Sequence, residues 1–148
     1  MSRELIRPDR EPLIALVDKT ARVMRADMVA GAHRAGFAEV APSHNAVFAT
    51  LPPEGARAAD MAARAGITRQ SMGEVVRDMV RLGMLEMVPD PTDGRAKLVT
   101  YTDYGRQVAQ AGMDHINALD RMFRDELGEA EYEAARRVLA RVRELLTP

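Results

Sequence analysis

The stretch from Ala56 to Tyr101, ARAADMAARAGITRQSMGEVVRDMVRLGMLEMVPDPTDGRAKLVTY, constrains the fold more than any other part of the chain. Ala58 to Ala65 has the spacing of a short helix, and Gly66 suits the left-handed conformation that ends one. Thr68 is a good N-cap for a second helix, whose apolar positions Met72, Val75, Val76, Met79 and Leu82 fall on one face and which stops at Gly83. Two apolar runs follow, 84–88 and 96–101, separated by Pro89-Asp90-Pro91-Thr92-Asp93-Gly94, a segment dense in turn formers. The spacing of Ala62, Gly66 and Met72 supplies the small residue, turn glycine and apolar residue that two steeply crossing helices need.

Two helices joined by a tight turn and followed by a hairpin with a charged tip are the sequence form of a winged helix-turn-helix. Such a unit presents one helix to a DNA major groove and a basic loop tip to the adjacent minor groove. The second helix leaves Arg69, Gln70, Gly73, Glu74 and Arg77 outward. Gln pairs bidentately with adenine, Arg with guanine, and Glu accepts from cytosine. Gly73 has no side chain to hold the helix away from the bases. The Thr68 and Ser71 hydroxyls and the helix N-terminus suit phosphate. At the tip, Arg95 follows Asp93 by two residues. The carboxylate is expected to hold the guanidinium extended toward a narrow, electronegative groove, and Lys97 to add a phosphate contact.

The flanking segments are helical. Leu13, Leu16, Val17, Ala21, Met24 and Met28 form one face of a helix over about 11–32. Ser43 is the expected N-cap of another, with Ala46, Val47 and Leu51 inward and Pro52-Pro53 ending it. Thr102 caps a long helix carrying Val108, Gly112, Ile116, Leu119, Met122, Phe123 and Leu127. Gly128 breaks it, and a last helix carries Tyr132, Ala135, Leu139, Val142 and Leu146 at near-heptad spacing. Stripes of this kind call for partner helices, which predicts a homodimer. The fold class expected is mainly α with a small β-hairpin wing: one domain over 1–148, with a winged unit at about 43–101 and dimerisation helices at about 11–32 and 103–147. Residues 1–10 are polar and read as an arm.

Composition narrows the chemistry. The chain has 148 residues and no cysteine, which excludes disulfides, thiolate metal sites and thiol redox sensing. Three histidines show no metal-ligand spacing, and there is no phosphate loop or nucleophile elbow, so neither a metal site nor an enzyme is expected. The formal net charge of −1 disfavours indiscriminate nucleic-acid binding, so basic residues must act by position. The N-terminus holds no uncharged hydrophobic run suited to a signal peptide or membrane span, and a cytoplasmic protein is expected.

The runs GITRQSMGEVVRDMVRLGML, PDPTDGRAKLV and YTDYGR, with the order of the flanking helices, resemble the MarR family of bacterial transcriptional regulators over nearly the whole chain. The resemblance implies a homodimer joined by its terminal helices, a repressor of DNA with two-fold symmetry, Arg95 as the wing-tip arginine with Asp93 its partner, and no cofactor. It further implies a small aromatic or phenolic effector bound between the dimer helices and the winged unit. Met28, His44 and Phe48 are the candidates to line that cleft, with His33, Phe37 and His115 behind them. Glu74 and Met87 depart from the usual pattern, and both lower the positive charge of the DNA face. A winged helix that docks proteins rather than DNA is the alternative they favour.

Overall fold

The structure, a computed structural model, describes residues 8–147. Most of the expected N-terminal arm lies outside the described residues. The order is α1 (Leu13–Arg34), a 3-10 turn (Pro42–His44), α2 (Asn45–Phe48), α3 (Ala58–Ala65), α4 (Arg69–Arg81), β1 (Leu85–Asp90), β2 (Asp93–Tyr101), α5 (Asp103–Leu127) and α6 (Glu129–Leu146). No helix among the described residues is long and apolar enough to cross a membrane.

The helix ends follow local chemistry. Thr68 Oγ1 accepts the Ser71 N–H at 3.0 Å, and Thr102 Oγ1 accepts the Gly105 N–H at 2.9 Å, each satisfying an orphan donor of the first turn. Gly66 closes α3 at φ 67°, ψ 30°. The expected cap at Ser43 does not form. Residues 42–44 make a 3-10 turn, and the Ala41 N–H is satisfied by His44 Nδ1 at 3.1 Å. The second helix is correspondingly a single turn, Asn45–Phe48, rather than a run to Leu51.

The core of the winged unit is a methionine cluster. Met61 of α3, Met72 and Met79 of α4, and Met84 just before β1 are all fully buried, together with Val47 and Val99. Thioethers on unbranched stems fill the irregular space where α3 and α4 cross. The hairpin is antiparallel, pairing Leu85 with Tyr101 and Val88 with Leu98. It is longer than expected, because its strands run to Asp90 and start again at Asp93. Ala56 adds a bridge to the outer side of β2, exchanging bonds of 3.1 and 2.8 Å with Val99.

The long helix α5 leaves the wing by a close approach. A Cβ at Gly105 would sit 1.8 Å from the Met84 carbonyl oxygen, so only glycine lets α5 start there. The helices α1 and α6 each pack on α5. Among the described residues nothing covers their outward apolar faces: Ile14 is 79% exposed, Val23 70% and Leu146 80%.

Candidate nucleic-acid interface and cleft

Helix α4 buries Met72, Val76 and Met79 and exposes Arg69, Gln70, Glu74 and Arg77. Gln70 Nε2 donates to Glu74 Oε1 at 3.4 Å, so the two outward polar groups restrain each other. Gly73 is less open than its lack of a side chain suggests. A Cβ there would meet Arg77 Nη1 at 3.2 Å, because the guanidinium folds back across it. The Thr68 hydroxyl is already occupied, capping α4 and donating to Ser71 Oγ at 2.9 Å. The Ser71 hydroxyl keeps its own proton to donate.

The basic residues of this surface divide in two. Arg57 and Arg81 are paired with carboxylates. Arg69, Arg77, Arg95 and Lys97 have no carboxylate within ion-pair distance among the described residues, and all four are exposed.

The wing is held by Asp90, which sequence reading passed over as a turn residue. Its side chain is buried, and Oδ1 accepts both the Thr92 N–H and the Thr92 hydroxyl at 2.8 Å, closing the two-residue turn. Its Oδ2 takes Arg57 Nε at 2.8 Å and Nη2 at 2.7 Å. The Thr92 bonds first, and then the Arg57 guanidinium, hold the Asp90 carboxyl down at about 2. Arg57 immediately precedes α3, so this pair ties the wing to the first helix of the helix-turn-helix.

The expected side-chain pairing of Asp93 with Arg95 is corrected. Asp93 Oδ1 accepts the Arg95 backbone N–H at 3.1 Å, and its other oxygen faces Arg57 at 3.8 Å. A side chain two residues away reaches the backbone amide more readily than the end of a long extended guanidinium. Asp93 therefore shapes the chain at Arg95 and leaves the guanidinium unpaired.

A cleft of about 540 Å³ opens between α1, α2 and α5, with Tyr101 of β2 in its wall. Met28 and Phe48 line it as expected, with Met113 and Ile116. Phe48 lies parallel to Tyr101, ring centroids 6.4 Å apart, and burial pushes the Tyr101 phenol up to about 12. The polar groups on the cleft are Arg25, Asn45, Arg106 and Gln110, and no carboxylate among the described residues lines it.

His44 does not line this cleft. It is fully buried behind the wall, with Nε2 at 2.8 Å from Asp78 Oδ2 of α4. His33, Phe37 and His115 are also spent elsewhere. His33 Nε2 meets the Val40 carbonyl at 2.8 Å, and Phe37 packs edge-on against Tyr104. His115 Nε2 bonds Asp27 Oδ2 at 2.7 Å, with its ring laid over Gly31 to lock α1 to α5. His44 and His115 found carboxylates far away in the chain, a long-range outcome that local spacing does not reveal.

A helix-turn-helix with an exposed, partly unpaired polar face, followed by a two-stranded wing tied back to it, defines a winged helix-turn-helix protein. Residues 47–96 match the MarR family. Among solved structures, a MarR family transcription regulator superposes with TM-score 0.77 at 20% identity, over 89% of this chain and 86% of that one. The S. aureus MepR–DNA complex gives 0.73 at 15%, over 92% and 97%. A Mycobacterium tuberculosis MarR family protein in complex with salicylic acid gives 0.66 at 23%, over 90% and 98%. An uncharacterised protein of Mycobacterium tuberculosis is 31% identical over 81 residues, 55% of this chain and 57% of that protein. The chain thus spans little more than half the length of the curated relatives it matches. The MarR match lies on the winged unit, and the likeness to these solved structures extends the same fold over nearly the whole chain.

Proposed function

We propose that this chain is a sequence-specific DNA-binding transcription regulator that acts as a homodimer on a palindromic operator. In this reading it is a repressor released by a small aromatic anion. The observation that carries the DNA reading is the set of unpaired cations, Arg69 and Arg77 on α4 with Arg95 and Lys97 on the wing, in a chain whose net charge is −1. Ion pairing neutralises many of the other arginines. Those left free where a helix and a wing meet DNA serve base edges and phosphates. Gln70, Gly73, Thr68 and Ser71 complete the helix contacts, and Asp93 acts by shaping the wing tip.

The dimer is supported by the uncovered apolar faces of α1 and α6, and by the spacing of about 34–36 Å that two recognition helices need for successive major grooves. The effector is supported by the cleft. Its apolar walls suit an aromatic ring, and Arg25, with Arg106 whose guanidinium also faces Asp103 at 3.5 Å, suits an acid group. Salicylic acid in a MarR family neighbour is consistent with that chemistry.

Fluorescence anisotropy against the chain's own upstream intergenic DNA and a scrambled control, at two salt concentrations, tests this reading. Tight, salt-sensitive binding to the native sequence alone is the expected result. Equal weak binding to both, persisting after selection from random sequence, would favour the protein-docking alternative, for which Glu74 and the near-neutral charge are the supporting observations.

A further inference from the structure

We propose that His44 is the positioning residue through which occupancy of the cleft reaches α4. The inference rests on the reading of the cleft as an effector site. His44 is flanked by Ala41 and Asn45, both of which line the cleft, yet its own side chain points away from it and is fully buried. The Ala41 N–H donates to Nδ1 at 3.1 Å. An amide can only donate, so Nδ1 carries no proton, and the proton sits on Nε2, which donates to Asp78 Oδ2 at 2.8 Å. The imidazole is a two-ended strut from the cleft wall to the recognition helix.

Asp78 is, among the described residues, the one residue of α4 whose side chain hydrogen-bonds another element. It also accepts from Arg81 within its own helix. The bond to His44, then that to Arg81, hold its carboxyl below the usual carboxylate range, so it stays an ionised acceptor. The Met84 N–H donates to the Met79 carbonyl at 2.9 Å at the end of α4, but among the described residues the other side-chain contacts of α4 with its seat are apolar, and two of the seat's residues, Met61 and Met84, are methionines. Such contacts are non-directional, and thioether side chains re-form them at small cost when a helix slides. The His44–Asp78 bond is directional and partly buried, so breaking it leaves a desolvated group unpaired. A ligand that shifts Ala41 and Asn45 therefore carries the ring, and α4 follows it. Tyr101 offers the cleft a second route, into β2, but its ring is held by stacking and no hydrogen bond runs from its side chain to α4 among the described residues.

The test uses the full chain, salicylate as the probe, calorimetry for cleft binding and anisotropy for DNA. In the wild type, saturating salicylate is expected to weaken DNA binding by roughly five- to 150-fold, the usual range of coupling between sites. Asp78→Ala removes the strut's outer end at a half-exposed position. His44→Asn keeps an acceptor for the Ala41 N–H and loses the reach to Asp78. Both variants should bind salicylate within about two-fold of wild type and show little or no weakening of DNA binding. Arg81→Ala, which removes the other partner of Asp78, should respond like wild type. If His44→Asn does not fold, Asp78→Ala decides the matter. A wild-type response in Asp78→Ala, or an equal loss in Arg81→Ala, overturns the strut. Salicylate that fails to bind the wild type, or binds it without changing DNA affinity, overturns the effector reading and the strut with it.

Discussion

Replacing Gly105 by alanine should destabilise the protein, although alanine is the better helix former. In an unconstrained helix the change would gain about 1 kcal/mol. Here the added Cβ would stand 1.8 Å from the Met84 carbonyl oxygen and 2.7 Å from its carbon, both backbone atoms. Helix and strand must part by about an ångström, an overpacking cost of about 1–3 kcal/mol. Parting them also strains two bonds of the junction: Thr102 N–H to Met84 O at 3.1 Å and Thr102 Oγ1–H to Gly83 O at 2.5 Å. At about 1 kcal/mol for each bond lost, and less the helix-propensity gain, the net loss is about 2–4 kcal/mol. For a chain of this size that lowers the thermal midpoint by about 5–15 °C. The comparison is Gly112→Ala in the same helix, where the nearest atom to the new Cβ is Met28 Cε at 3.9 Å. That change should be neutral or stabilising by up to about 1 kcal/mol. Circular-dichroism melts at one fixed protein concentration read both, since association links the midpoint to concentration. A Gly105→Ala protein melting at or above the wild type would refute the close-approach argument, as would equal shifts in the two variants.

Other consequences concern DNA, acid and association. Arg95→Ala should weaken binding to all sequences and lower the salt slope by about one, whereas Gln70→Ala should cost ~1–3 kcal/mol mainly at one base pair per half-site. Indistinguishable sequence profiles for the two would undo the assignment of α4 as the reading helix. Asp90 has a folded value of about 2, below the ordinary carboxylate, so its contribution to stability is full above the unfolded value and is lost as pH falls through about 2. Asp90→Asn should therefore melt below the wild type at pH 6, with the gap closing as pH approaches 2. A gap independent of pH would mean that the carboxylate charge does not matter. Light scattering at micromolar concentration should give a dimer, and Leu139→Asp combined with Leu146→Asp should give a monomer. A wild-type monomer would count against the uncovered faces being an interface.

What could be read from the chain directly was whatever is settled within one or two turns. The caps at Thr68 and Thr102, the left-handed Gly66 and the buried stripe of α4 depend on neighbours three or four residues away, and all of them form as expected. The order of helices and hairpin, and with it the winged helix-turn-helix fold, follows from those local signals. The wing turn was legible only in outline. Turn formers marked it, but the bonds from Thr92 to Asp90 shorten it to two residues, and Arg57, 33 positions upstream, decides which carboxylate is buried. Sequence shows the charges of Asp93 and Arg95 and their spacing, and it does not show that the Arg95 amide lies nearer than its guanidinium.

The pairs that only tertiary structure decided span long separations: Gly105 against the Met84 carbonyl, Ala56 bridged to Val99, and His44 bonded to Asp78. Periodicity places a residue on a face of its own helix, and it carries nothing about which backbone or side chain the fold brings against that face. A histidine on an apolar face could therefore be assigned to the cleft from sequence. Packing of the turn at 42–44 and of α2 on α4 turned it to the other side of the wall, where the Asp78 carboxylate accepts its hydrogen bond.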